Sequence, residues 1–319
     1  MPSGWRGWMA GAVLAAVGLL ASGCSSSLAG MAAGDGGSGG GSSGGKIIAV
    51  GAENEYADVI QQVGGKYVQV SAIMSNPGTD PHTFEASASV GRLVNAARLV
   101  VQNGLGYDTF MNTIENAVPD PGRKVIVVQK LLGLPDSTPN PHLWYDPATM
   151  PKVASAIAAG LAAIQPDHAA YFKANAAAFT TSLSAWTSAI AKFRQQFPGT
   201  PVATTEPVAD YLLQALGADN RTPWAFQADV MNGTDPSAQD VALERSLFTQ
   251  HKVTAFLYNQ QVTDSLTESF ISLARANHIP VVGVYETMPE PGYHFQSWMT
   301  TEVQNLHKAV AGHVSSEHL

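Results

Sequence analysis

HAAYFKANAAAFTTSLSAWTSAIAKFRQQF, residues 168–197, decides how the rest of the chain is read. Its apolar positions Phe172, Ala176, Phe179, Leu183, Trp186, Ile190, Phe193 and Phe197 step alternately by four and three residues. That spacing keeps one stripe of side chains on one face of an α-helix. Asp167, just after Pro166, supplies a start signal, and Pro198-Gly199 supplies a stop. A helix of this length spans about 45 Å, so it reads as a spine. A coiled-coil seam or an ordinary surface helix fits the same spacing.

Working outward, strand-like and helix-like stretches alternate on both sides. Before the spine, 46–52, 68–74, 98–104 and 124–129 read as strands, with helical spacing over 53–63, 88–97 and 107–117. Asp146-Pro147 opens a further helix to about Ile164. After the spine, 201–205, 222–227, 253–259 and 279–286 read as strands. Helices are expected over 207–217, 237–250, 264–277 and 293–311, the second opened by the Ser237/Asp240 pair. Strands separated by helices pair in parallel. The expected fold is therefore α/β: two lobes, each a roughly four-stranded, mostly parallel sheet with helices, on opposite sides of one long helix.

The 319 residues are 45% hydrophobic and 13% charged, as suits a globular protein of one or two domains. A net charge of -8 argues against nucleic acid as a partner. The single cysteine, Cys24, excludes an internal disulfide and a cysteine-rich zinc site. Residues 1–23 read as a signal segment: Arg6 is its only charge, and the apolar run Trp8–Leu20 is too short to span a bilayer. The segment ends in Leu20-Ala21-Ser22-Gly23-Cys24, which resembles a bacterial lipoprotein signal with Cys24 as the lipidated residue. Residues 24–45 are a Gly/Ser-rich tether, spanning roughly 25 Å as a flexible coil. Gly36–Gly40 fits G-x-S-x-G only as linker, since no strand precedes it. The folded parts are then 46–166, the connecting helix 167–198, and 199–319.

In open parallel sheets ligands bind beyond the carboxyl ends of the strands. Four reactive side chains follow strands: His82 after the second, His142 after the fourth, Glu206 after the first of the second half, and Glu286 after the last. Two imidazoles and two carboxylates, a pair from each half, make a candidate site between the lobes. His294, eight residues past Glu286, and Glu85, beside His82, are outside candidates.

These residues carry a family resemblance. Asp80-Pro81-His82-Thr83-Phe84-Glu85, Asn103-Gly104-Leu105-Gly106, Pro141-His142-Leu143-Trp144-Tyr145-Asp146-Pro147, the GTDPSAQD stretch (233–240) and Gly283-Val284-Tyr285-Glu286 resemble the substrate-binding lipoproteins of bacterial ABC transporters for zinc and manganese. The resemblance covers about residues 46–311. It implies two α/β lobes joined by a long rigid helix, with one metal ion bound between them. The family's four ligand positions fall on His82, His142, Glu206 and Glu286. Zinc-type members usually carry histidine where this chain has Glu206, and the fourth position is usually aspartate. A His-rich loop before His142 is absent.

The resemblance implies an extracytoplasmic binding protein, anchored through lipidated Cys24 to the outer face of the cell membrane. It would deliver a divalent ion to a cognate ABC permease, act as a monomer and catalyse no reaction. Two carboxylates harden the site, placing Mn²⁺ ahead of Zn²⁺ as cargo, with Fe²⁺ possible. Two other readings use the same residues. A metallohydrolase would need an open water position, and no H-E-x-x-H motif is present. A surface adhesin would hold the metal structurally.

Overall fold

The computed structural model describes residues 45–76, 78, 84–289 and 291–319. The signal segment, most of the tether, Cys24 and His82 lie outside the described residues.

In the first half the order is β1 (Ile47–Glu53), α1 (Asn54–Gly64), β2 (Val68–Met74), α2 (Ala88–Ala96), β3 (Leu99–Gln102), α3 (Thr109–Ala117), β4 (Lys124–Val127), α4 (Val128–Leu132) and α5 (Thr149–Ile164). Two segments follow, α6 (Ala169–Ser182) and α7 (Ser184–Gln196). The second half runs β5 (Pro201–Thr204), α8 (Asp210–Leu216), β6 (Asp219–Asn220), α9 (Trp224–Met231), α10 (Ala238–Thr249), β7 (Ala255–Asn259), α11 (Ser265–Ala276), β8 (Val281–Val284) and α12 (Phe295–Gly312). The sheets are ordered β2-β1-β3-β4 and β6-β5-β7-β8, and every pairing is parallel. The second half therefore repeats the topology of the first, as the alternation of elements predicted.

Two expectations are corrected. Residues 222–227 are not a strand. Trp224 opens α9, whose Phe226 and Val230 are buried in a cluster with Phe248 and Phe270. The edge strand is instead the two-residue β6. The alternating Trp224-Ala225-Phe226 mimicked a strand, and packing against α10 and α11 overrode it.

The spine is not one continuous helix either. The ladder breaks at Leu183, whose ψ is -4°. In the preceding turn the hydroxyls of Thr180, Thr181 and Ser182 donate to the carbonyls of Ala176, Ala177 and Phe179. Such back-bonding competes with the helix ladder and bends it. The stripe still does what its spacing implies: Phe172, Ala176, Phe179, Leu183, Trp186, Ile190 and Phe193 are all buried. α6 packs on α1 and α5, and α7 on α8 and α12.

One hydrophobic cluster runs through both halves, from Ile47 and Tyr56 through the stripe to Leu212, Val282 and Trp298. The two sheets thus share a core rather than forming separable bodies. Near α12, Tyr145 Oη donates to the Tyr285 carbonyl at 2.7 Å, tying the halves together.

Glu302 of α12 sits in this core, accepting from Trp298 Nε1 at 3.0 Å and Tyr145 Oη at 3.4 Å. Burial pushes its carboxyl up from the ordinary 4.5 to about 8, against those hydrogen bonds. Between these values the folded state holds one proton that the unfolded state has lost. Stability therefore falls as pH rises through this window, by up to about 1.4 kcal/mol per pH unit from this group. Glu302→Gln keeps the shape without the ionisation. Urea denaturation at pH 5 and pH 8 is expected to show a smaller loss of stability for the variant than for the parent. Equal losses would show that Glu302 does not carry the effect.

Candidate metal centre

In each sheet the chain reverses its direction of winding between the first and third strands in sequence, β1/β3 and β5/β7. Crevices open at such points beyond the carboxyl ends of strands. Here side chains from loops of the first half meet residues that follow the strands of the second.

His142 precedes a short 3-10 turn, Leu143–Tyr145, and is fully buried. Its place is fixed by two asparagines. Asn103, after β3, donates from Nδ2 to the Pro141 carbonyl at 2.8 Å and accepts from Tyr56 Oη at 2.7 Å. Asn140 donates from Nδ2 to the Pro207 carbonyl at 2.8 Å, which directs its Oδ1 at the histidine. That oxygen accepts from the His142 backbone N–H at 3.0 Å and lies 2.8 Å from Nδ1. Nδ1 is thus turned to a hydrogen-bond acceptor, and Nε2 is the ring nitrogen left facing across the crevice.

Nε2 lies 3.3 Å from Oε2 of Glu286. Glu286 follows β8 and is fully buried. Its backbone N–H donates to Gln261 Oε1 at 2.7 Å. Oε2 accepts from Tyr107 Oη at 2.9 Å, and Oε1 from Asn259 Nδ2 at 2.5 Å. Glu206, after β5, is 2% exposed. Its Oε1 accepts from the same Asn259 amide at 3.3 Å. One amide at the end of β7 thus bridges both carboxylates.

Three of the four predicted residues are therefore brought together, and the fourth, His82, lies outside the described residues. Among the described residues no three His, Cys, Asp or Glu side chains already stand close enough to hold an ion together. His142 and Glu286 form the close pair, with Glu206 joined through Asn259. The outside candidates sit elsewhere. His294 precedes α12 on the surface, its Nδ1 2.7 Å from Asp58 Oδ1. Glu85 is exposed.

Sequence reasoning missed Asn140, Asn259 and Tyr107, which orient His142, Glu206 and Glu286. It also missed three further acids. Glu53 ends β1, Glu55 lies in the first turn of α1, and Asp108 precedes α3; all are buried. The rule that found Glu206, a carboxylate just after a strand, would have found Glu53 and Glu55. Asp108 caps the turn after β3, accepting from the N–H groups of Asn103 at 2.6 Å and Gly104 at 3.0 Å. That turn has positive φ at Gly104, Leu105 and Gly106.

Burial raises all three carboxyls. Asp108 is pushed to about 6, with its backbone hydrogen bonds opposing the shift. Glu53 rises well above the ordinary range through burial, then through repulsion by Asp108 and Glu55. Glu55 rises through burial, with repulsion by Glu286 adding to it. Among the described residues no Lys or Arg is salt-bridged to any of these acids. Buried carboxylates without a cationic partner are costly, and either protonation or a bound cation would relieve them.

Residues 50–309 match the family described as zinc-uptake complex component A, periplasmic. The chain belongs to this family. Among curated relatives of this zinc-uptake family member are the manganese-binding lipoprotein MntA of Bacillus subtilis and the zinc-binding protein TroA of Treponema pallidum. MntA is 25% identical over 184 residues, which span 56% of this chain and only a little over half, 56%, of MntA. TroA is 22% identical over 249 residues, 75% of this chain and 79% of TroA. The solved structure of the periplasmic zinc-binding TroA is similar to this zinc-uptake family member with a TM-score of 0.70 at 19% identity, covering 85% of this chain and all of that one. A manganese-bound periplasmic metal-binding protein of Candidatus Liberibacter asiaticus gives 0.69 at 16%, covering 83% of this chain and all of its own. At these identities the structures show the shared fold. The paired parallel sheets of this zinc-uptake family member are that fold.

Proposed function

We propose that this protein captures one divalent transition-metal ion between its two sheets and delivers it to a membrane ABC permease. The carrying observation is the convergence of ligand-type side chains from both halves. His142, with Nδ1 held against Asn140, turns Nε2 to within 3.3 Å of Glu286 Oε2, and Asn259 joins Glu286 to Glu206. A cation bound here would take the place of the contact between ring nitrogen and carboxylate. A ligating histidine whose other N–H is held by an oxygen acceptor is the usual arrangement at metal sites.

The ion is held by His142, Glu206 and Glu286, with His82 as the fourth ligand. Two carboxylates and two imidazoles favour Mn²⁺ over a three-histidine set, while intrinsic affinity favours Zn²⁺. Mn²⁺ is the cargo proposed. The protein binds and releases without chemistry. It acts as a monomer, anchored through lipidated Cys24 at the outer face of the membrane. Among the described residues no helix is long and apolar enough to cross a membrane. Release works through ligand rearrangement, because the shared core and the cross-sheet hydrogen bonds resist wide opening of the halves.

Calorimetry on demetallated protein with Mn²⁺, Zn²⁺ and Fe²⁺ tests this. A single site per chain is expected, and Glu206→His is expected to shift preference toward Zn²⁺ by roughly tenfold or more. Absence of 1:1 binding for all three ions would end the proposal. An unchanged preference in Glu206→His would remove Glu206 from the ligand set.

A further inference from the structure

The four ligand positions leave three buried acids unexplained, and Glu55 is the one of them that Glu286 repels. Glu55 has no exposed surface, and neither of its carboxyl oxygens has a hydrogen-bond partner. The acidic neighbour it feels is Glu286. Tyr107, which donates to Glu286 Oε2, is within electrostatic reach of Glu55 as well.

The backbone next to Glu55 is clamped against the strand end that carries Glu286. Asn54 donates from Nδ2 to the Met288 carbonyl at 2.7 Å, and its Oδ1 accepts from the Met288 N–H at 2.8 Å. This two-point clamp joins the start of α1, one residue before Glu55, to the residue two beyond Glu286. The position of Glu55 in the first turn of α1 adds the favourable end of the helix dipole for a negative charge. A fully buried carboxylate with no side-chain donor, no salt-bridged cation and a proposed ligand carboxylate within electrostatic reach is a poor structural element. It is a good oxygen donor for a cation.

We infer that Glu55 supplies a further carboxylate donor to the ion held at His142 and Glu286. The inference rests on the function proposed above and sharpens it. A third carboxylate raises the number of oxygen donors beyond what tetrahedral zinc needs and toward the six-coordinate, oxygen-rich shell that suits Mn²⁺. Glu55 would then set specificity from the first half of the chain, as Glu206 does from the second.

The test compares the parent, Glu55→Gln and Glu286→Ala by calorimetry with Mn²⁺ and Zn²⁺, together with a crystal structure of the parent grown with Mn²⁺. Glu55→Gln is nearly isosteric. It is expected to keep 1:1 binding, to lose Mn²⁺ affinity at least tenfold and to lose less for Zn²⁺. The metal-free variant should melt no lower than the parent, because only an unpartnered acid has been removed. In the crystal a Glu55 oxygen should stand about 2.2 Å from the ion. Parent-like Mn²⁺ affinity in Glu55→Gln, alongside a large loss in Glu286→Ala, would overturn the role of Glu55 and leave the proposed function standing. A parent that binds no ion, or Glu286→Ala that binds normally, would overturn the proposed function itself. Should Glu55→Gln fail to fold, the crystal structure decides alone: a Glu55 carboxylate more than about 4 Å from the ion refutes the inference.

Discussion

Glu286→Ala lowers the affinity for the divalent ion by at least about a hundredfold. Losing a residue that merely orients a ligand costs about 10- to 100-fold, and Glu286 is proposed above as a ligand itself. Its two oxygens are where both halves converge: Oε2 meets His142 and Tyr107 from the first half, and Oε1 meets Asn259 from the second. Truncation removes a negative charge and leaves the Tyr107 hydroxyl and one Asn259 hydrogen without that acceptor. Titration with Mn²⁺ and Zn²⁺ measures the effect. His294→Ala is the control, because that histidine pairs with Asp58 on the surface; its affinity should stay within about twofold of the parent. Retained tight binding in Glu286→Ala would place the ion elsewhere.

Trp186→Ala destabilises the fold by about 3–5 kcal/mol, the range for deleting a large buried aromatic. Trp186 lies in α7 with no exposed surface, and its ring meets Phe295 of α12 edge to face at 5.7 Å. Phe295 in turn contacts Phe179 of α6 and Trp298. The indole N–H has no hydrogen-bond partner, so the loss is one of packing and cavity formation. For a chain of this size the melting temperature should fall on the order of 10 °C. One unfolding transition is expected to persist, since the cluster runs through both halves. Sedimentation should give the same monomeric mass for parent and variant. A parent dimer that dissociates on the substitution would mean the stripe pairs with another chain.

Seven of the eight strands were legible to within about two residues at their starts, because buried parallel strands are short apolar runs between turn signals. The failure at 222–227 has a plain cause. Pro223 and alternating aromatics look the same before either strand or helix, and only the fit of Phe226 against Phe270, with ring centres 5.4 Å apart, selects the helix. The break at Leu183 was hidden for a related reason. The four-three stripe continues across it unchanged, while the hydroxyls that loosen the ladder are ordinary helix-surface residues in a sequence.

The site divides in the same way. His142, Glu206 and Glu286 were legible as candidates because Glu206 and Glu286 directly follow strands and His142 lies in the long loop after β4 and α4. Asn140, Asn259 and Tyr107 were not, since amides and phenols at such places are common and their role depends on which atom faces which.

By itself the sequence determined the α/β class, the doubled four-strand plan, the buried stripe between the halves and the family. These follow from periodicity and punctuation, which are local properties of a chain. Only the tertiary structure decided that the halves share one core, that Asn140 holds Nδ1 of His142, and that one asparagine bridges Glu206 and Glu286. It alone placed Glu55 within electrostatic reach of Glu286, across 231 positions of sequence. Such facts depend on contacts between distant residues in a low-dielectric interior, where each polar atom must find a partner or wait for one.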